Sequence, residues 1–138
     1  MIEFHGLERI DYQAPELGSW IERIGEKFKY SIREIQYVFC DDEYLYEMNM
    51  QYLNHDTYTD IITFDYADGK VLHGDIFIST ERVQENASER GISVNEELLR
   101  VMAHGLLHMK GLNDKTENEK AIMRKEEEEL MKLFHVEH

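Results

Sequence analysis

The segment from residue 61 to residue 79, IITFDYADGKVLHGDIFIS, contains two short runs that are rich in β-branched and aromatic residues. These runs, residues 61–66 and 75–79, each predict a β-strand. Between them, Asp68 and Gly69 form a dipeptide that favours a tight turn. We therefore expect two neighbouring strands joined by a short loop.

The chain before these strands predicts the order βαβα. Strands are expected at residues 2–4 and 34–40, the second of which is again rich in β-branched and aromatic residues. A helix is expected over residues 15–30, because Pro15 suits a first helical turn and apolar residues follow at helical spacing. A further helix is expected from the acidic pair at residues 41–42 to about residue 53.

The chain after residue 79 predicts three more helices. The first covers residues 80–90 and ends at Gly91, and the second begins at Ser93, with Glu96 three residues later as in a capping box. The last covers about residues 116–134. We predict an α+β fold, a small mixed sheet of about four strands packed with about five helices, in a single domain over residues 1–138.

The composition limits the partners and the compartment. The 15 basic and 29 acidic residues give a formal charge of -14, so contact with nucleic acid requires a local basic patch, for which residues 23–33 are one candidate. A single cysteine, Cys40, is typical of a reducing cytoplasm, where we expect the protein to act. No apolar run approaches the roughly 18 residues of a membrane span, so no membrane association is expected. No nucleotide cofactor is expected.

Residues 104–114, HGLLHMKGLND, contain two histidines four positions apart on a predicted helix. Side chains at this spacing share a face, about 5–6 Å apart, and can reach one ion. Gly111 can end the helix in a left-handed conformation, so that the chain turns back and brings Asp114 to the same ion. Two imidazoles and one carboxylate leave a position open for water, which is typical of a catalytic zinc site.

Two alternatives stand beside this interpretation. A pair of histidines at this spacing often arises by chance, and Asp114 with Glu117 also fits the start of the last helix. The full spacing matches the metzincin peptidase pattern H-E-x-x-H-x-x-G-x-x-H with the last histidine replaced by aspartate, so we expect a metzincin-like metal site on a helix. Gly105 stands where the peptidases have their glutamate base, which disfavours a metallopeptidase.

Three segments together resemble the YbeY family of bacterial rRNA-maturation endoribonucleases. They are MNMQYLNHDTYTDIITF at residues 48–64, HGDIFIS at residues 73–79 and HGLLHMKG at residues 104–111, and the likeness extends over about residues 42–131. The resemblance implies a metal-dependent, zinc-binding hydrolase. Its substrate would be single-stranded RNA, the 16S rRNA precursor. The protein would act in 3′-end maturation and in ribosome quality control, in association with the small ribosomal subunit.

The resemblance also implies roles for particular residues. Two metal ligands correspond to His104 and His108, while Asp114 stands where the family usually has a third histidine. A carboxylate makes the site harder, which brings manganese, iron or nickel into consideration beside zinc. Leu53 stands where the family usually has an arginine that engages the RNA backbone.

Two aspartates, Asp60 and Asp75, occupy landmark positions of the family beside predicted strands. Either carboxylate could orient a histidine ligand or accept a proton from the bound water, or it could simply tie down a loop. His55 and His73 are further acid or phosphate-donor candidates. The glutamates at residues 126–129 predict a solvated helix face. A ribosome-associated factor with a purely structural metal is the remaining, non-enzymatic hypothesis.

Overall fold

The computed structural model describes residues 1–53 and 59–135 of the chain. Within these ranges no helix is long and apolar enough to span a membrane. The elements are, in chain order, β1 (Ile2–His5), a 3-10 helix (Leu7–Arg9), α1 (Ala14–Phe28), β2 (Ser31–Cys40), α2 (Asp42–Leu53), β3 (Ile61–Asp65), β4 (Val71–Ser79), α3 (Thr80–Arg90), α4 (Val94–Lys110) and α5 (Glu117–Phe134).

The strands of the described ranges form one mixed sheet of four, in the order β1-β2-β4-β3. The pairs β1–β2 and β2–β4 are parallel, and β3 runs antiparallel to β4 on the edge. With five α-helices in the same ranges, the predicted α+β fold is confirmed. The predicted neighbouring strands 61–66 and 75–79 are β3 and the end of β4.

Several boundaries differ from the prediction. Strand β4 begins at Val71, four residues earlier than expected, because residues 71–74 pair with the start of β2 at Ser31. Gly74 has a low intrinsic preference for strands, which conceals this extension in the sequence. The 3-10 helix at Leu7–Arg9 was not predicted from the sequence.

One face of the sheet carries the main hydrophobic core. Side chains alternate along each strand, so Ile35 and Tyr37 of β2 and Ile76 and Ile78 of β4 point to the same face, where α1 and α4 pack on the sheet and α5 packs on these two helices. The buried hydroxyl of Tyr37 is paired, since it donates to the carbonyl of Met102 at 2.9 Å. Helix α2 covers the opposite face at a smaller cluster.

Two glycines allow close packing at the centre of this core. A Cβ atom on Gly105 of α4 would lie 2.9 Å from Cδ1 of Ile76, so the helix can approach β4 only because that side chain is missing. A Cβ atom on Gly74 would overlap the backbone carbonyl of Phe64 in β3. The helix that carries the two histidines is therefore held tightly on the sheet.

We predict that Gly74→Ala destabilises the protein by about 1–3 kcal/mol, because the added methyl group would overlap the backbone carbonyl of Phe64 as well as the end of the Met109 side chain. Gly18→Ala in α1 is the matched control, since nothing lies within 4 Å of a Cβ atom there. That substitution should stabilise the protein by roughly 0.5–1 kcal/mol, through the higher helix propensity of alanine. Urea denaturation measures both, and equal effects of the two substitutions would contradict the packing described.

Candidate metal centre

Helix α4 begins and ends where the sequence predicts. The Ser93 hydroxyl accepts a hydrogen bond from the Glu96 N–H at 3.1 Å. At the other end, Gly111 has a left-handed φ of 110°, and its N–H donates to the carbonyl of His108 at 3.0 Å. The N–H of Leu112 donates to the carbonyl of Leu107, which completes a Schellman motif. The chain therefore reverses its direction one turn after the second histidine.

The next helix does not use Asp114 as its cap. Thr116 caps α5: its hydroxyl accepts from the Glu119 N–H at 3.1 Å, and the Glu119 carboxylate accepts from the Thr116 N–H at 2.9 Å. The alternative of a capping box formed by Asp114 and Glu117 is therefore wrong. The Asp114 carboxylate faces the histidines instead.

The three side chains converge on one point. The distance between Nε2 of His104 and Nε2 of His108 is 2.9 Å, and Oδ2 of Asp114 lies 3.2 Å from the first and 3.6 Å from the second. These atoms fit on a circle with a radius of about 1.9 Å, so all three would be within reach of one ion at the zinc distance of about 2.0–2.2 Å. The spacing is that of three ligands of a tetrahedral site.

The contacts of the other ring nitrogens favour a proton on Nδ1 of both rings. Nδ1 of His108 lies 2.9 Å from the carbonyl oxygen of Leu112, which can only accept, so this nitrogen carries the proton. Nδ1 of His104 lies 2.7 Å from Oε2 of Glu127 and donates to that carboxylate. When both rings are neutral, two nitrogen lone pairs and a carboxylate oxygen face each other. Such a set of acceptors is stabilised by a positive charge, either a metal ion between them or a proton on one of the two Nε2 atoms.

Glu127 is the residue of this centre that the sequence interpretation missed. Its side chain is buried in α5, where it also accepts a hydrogen bond from Nη1 of Arg100 at 3.2 Å. The predicted solvated face over residues 126–129 is thus wrong at this position. One signal was present in the sequence, since Glu127 shares helical spacing with the buried Met123 and Leu130.

The electrostatic environment favours a positive charge at the histidines. Burial is the largest single effect and lowers the pKa of His104, but the hydrogen bond to Glu127 and the charges of Glu127, Asp114 and Asp60 together outweigh it. The net result is a raised pKa for His104. A site that attracts a proton in this way also attracts a metal ion, which competes for the same nitrogen.

A cleft of about 330 Å³ opens beside the three ligands, and Asp60 lies in its wall. The position of Asp60 is fixed from α3, because Nδ2 of Asn86 donates to its carboxylate at 3.3 Å. Burial raises the pKa of Asp60 and outweighs the opposing effects of the His104 and Arg90 charges. The structure thus brings one of the two candidate aspartates to the candidate metal centre.

The other candidates lie elsewhere. In β4, Ile76 faces α4. The side chain of the preceding residue, Asp75, therefore points to the opposite face of the sheet, where it lines a groove with Tyr44 and Phe77. His73 lies on that same face, with its ring against Tyr66. Leu53 is the last residue of α2 and is 42% exposed. The basic residues at positions 23–33 do not line the cleft, and His55 lies outside the described residues.

Comparisons with known proteins identify a family and a similar fold. The family model described as Endoribonuclease YbeY matches residues 6–135. A protein of that name from Christiangramia forsetii is 56% identical, covering 86% of this chain and 83% of its own length. One from Flavobacterium psychrophilum is 49% identical, covering 99% and 98%. The solution structure of TM1509 from Thermotoga maritima has a similar fold, with a TM-score of 0.71, 23% identity and coverage of 97% and 89%.

We predict that Glu127→Gln weakens metal binding by about tenfold or more, because a neutral amide no longer supports the charge on the His104 ring. Glu128→Gln is the matched control on the same helix, since Glu128 is exposed. Competition with a chromophoric chelator measures the affinity of each purified protein for zinc. Equal affinities in the two variants would show that Glu127 does not support the site.

Proposed function

This chain belongs to the YbeY endoribonuclease family, and we propose that it cleaves single-stranded RNA with one metal ion held by His104, His108 and Asp114. The observation that carries this proposal is the convergence of three acceptor atoms beside an open cleft. A structural metal site is usually closed by four protein ligands, whereas three ligands leave room for substrate or water. We further propose that residues 1–138 form one hydrolase domain.

We propose zinc as the metal. Two imidazole nitrogens and one carboxylate oxygen are ligands that zinc accepts, and the separations of these atoms suit its short bonds. The carboxylate also suits manganese, iron or nickel, which are the other candidates. When bound, such an ion polarises a phosphoryl oxygen and lowers the pKa of a water molecule towards neutrality.

We propose Asp60 as the general base. Its carboxylate lies in the wall of the cleft that also contains His104 and Asp114, and it is held there by Asn86. In the reaction, the oxygen of a water molecule attacks the phosphorus and Asp60 accepts the proton of that water. The bond to the leaving ribose oxygen breaks with its electron pair, and this oxygen takes up a proton from solvent water. A carboxylate with a raised pKa is a better proton acceptor near neutral pH than an ordinary aspartate.

The biological substrate that we propose is the 16S rRNA precursor, cut during maturation of its 3′ end on the small ribosomal subunit in the cytoplasm. Family membership supports this assignment, and the same membership supports a role in ribosome quality control. The net charge of -14 requires that RNA is bound at a local site rather than over the whole surface.

A peptidase function is not favoured. In H-E-x-x-H peptidases a glutamate next to the first histidine acts as the base. At this position the chain has Gly105, where a Cβ atom would already lie 2.9 Å from Cδ1 of Ile76 and 3.2 Å from Cδ1 of Ile61. The chain therefore lacks the base of that catalytic arrangement.

We predict that the metal-loaded protein cleaves single-stranded RNA and leaves casein intact, and that His108→Ala loses both the metal and the cleavage, because two ligands cannot hold the ion. Metal content by elemental analysis and gel assays on both substrates measure these outcomes. RNA cleavage that persists in His108→Ala would contradict the proposal. A metal whose removal lowers the melting temperature without changing cleavage would identify a structural role.

We predict that Asp60→Asn lowers kcat by about 10²-fold or more while the metal is retained, because the amide cannot accept a proton. Asp75→Asn serves as the matched control and should keep its activity, since that side chain lies on the other face of the sheet. Single-turnover cleavage of a labelled RNA, with metal content measured on the same samples, separates loss of the base from loss of the ion. Equal losses in both variants would rule out Asp60 as the base.

A further inference from the structure

The cleft beside the candidate metal centre has a basic wall that none of the roles above uses. Four cationic side chains line it, two from α3 and α4 and two from α5: Arg90, Arg100, Lys120 and Arg124. In a chain with almost twice as many acidic as basic residues, such a local group is the kind of patch that contact with RNA requires.

The two arginines from α3 and α4 are already bound by buried carboxylates. Nη1 of Arg90 donates to both oxygens of Glu97, at 2.8 and 2.7 Å. Arg100 donates to Glu127, which in turn holds His104. These two cations are part of the support of the metal centre, and their charge is compensated inside the protein.

The two cations from α5 are different. Lys120 has one ion pair, at 3.6 Å to Glu117, whose side chain is 95% exposed, so solvent screens this contact. Arg124 forms no ion pair with any residue in the described parts of the chain. Both side chains are exposed, and their charges are available to a ligand in the cleft.

The helix holds these two side chains in a defined direction. Lys120 and Arg124 are four positions apart and so share one face of α5, with Cβ atoms about 5–6 Å apart. Met123 on the same side is buried, and the neighbouring Glu127 is fixed by Arg100 and His104. These contacts fix the face of α5 that carries Lys120 and Arg124, so both residues stay on the cleft side of the helix.

We propose that Lys120 and Arg124 bind the backbone phosphates of single-stranded RNA next to the bond that is cut, and so position the substrate strand along α5. This inference rests on the proposed function, since it names the residues that hold the substrate at the same site. Contacts of this type fix the position of the strand without reading its sequence. A preference for particular bases would require contacts to the base edges by other residues.

The test compares two double variants that remove the same charge from the same helix. One is Lys120→Gln with Arg124→Gln, and the control is Lys125→Gln with Lys132→Gln, whose side chains are exposed and do not line the cleft. Fluorescence anisotropy measures binding of a short, labelled single-stranded RNA to the metal-stripped proteins, where no cleavage interferes. Melting temperatures verify that all the variants are folded.

We expect the cleft variant to bind this RNA roughly tenfold more weakly than the control variant. The magnitude of the slope of log K against log salt should also fall by roughly 1.4 in the cleft variant, because each of the two lost phosphate contacts contributes about 0.7 on a single strand. In steady-state cleavage by the metal-loaded protein, KM should rise while kcat changes little. Arg124→Lys should keep most of the binding, because it keeps the charge.

Equal binding and equal salt slopes in the two double variants would overturn this inference, whether both match the unmodified protein or both are weakened alike. That result leaves the proposed function intact as long as the unmodified protein cleaves RNA. If the unmodified, metal-loaded protein does not cleave RNA at all, the proposed function itself fails, and this inference fails with it.

Discussion

The structure depends on one electrostatic constraint, which is that two imidazole nitrogens and a carboxylate oxygen are held within 3.6 Å of one another with their lone pairs converging. Acceptors at such distances repel each other unless a positive charge, either a metal ion or a proton on one Nε2, lies between them. Two hydrogen bonds favour a proton on the outer nitrogen of each ring: Glu127 accepts from Nδ1 of His104, and the carbonyl of Leu112 accepts from Nδ1 of His108. Binding of an ion at these atoms is therefore coupled to the protonation of the rings.

The fold supplies the rigidity that this constraint requires. Gly105 lets α4 lie directly on β4, and the Schellman motif at Gly111 reverses the chain so that the carboxylate of Asp114 returns to the histidines. Helix α5 contributes through Glu127, which is buried between Arg100 and His104. Breaking a buried pair of this kind leaves an uncompensated charge and is strongly unfavourable, so α4 and α5 are coupled at the metal centre. The same coupling fixes the wall of the cleft along which we place the RNA.

The sequence contained much of this information, and the parts that it lacked have physical reasons. The order of helices and strands follows from local patterns, and the three converging side chains follow from helical spacing and one glycine. The contact between His104 and Glu127 joins residues 23 positions apart, and a run of four glutamates is more typical of an exposed face, so only the packing of α5 reveals it. Asp60 and Asp75 both lie beside predicted strands and could not be ranked from the sequence, because only the folded chain puts Asp60 in the cleft with His104 and Asp75 in a different groove. No local pattern in the sequence indicates the histidine tautomers, or which basic residues of the cleft are paired with buried carboxylates and which are not.

Anomalous X-ray scattering at the zinc edge, from crystals of the protein grown with zinc, locates the ion without assuming its ligands. We expect a single strong peak about 2.0–2.2 Å from Nε2 of His104, Nε2 of His108 and a carboxylate oxygen of Asp114. Zinc found only at other positions, or these three side chains turned away from one another around ordered water, would contradict a metal site at these residues.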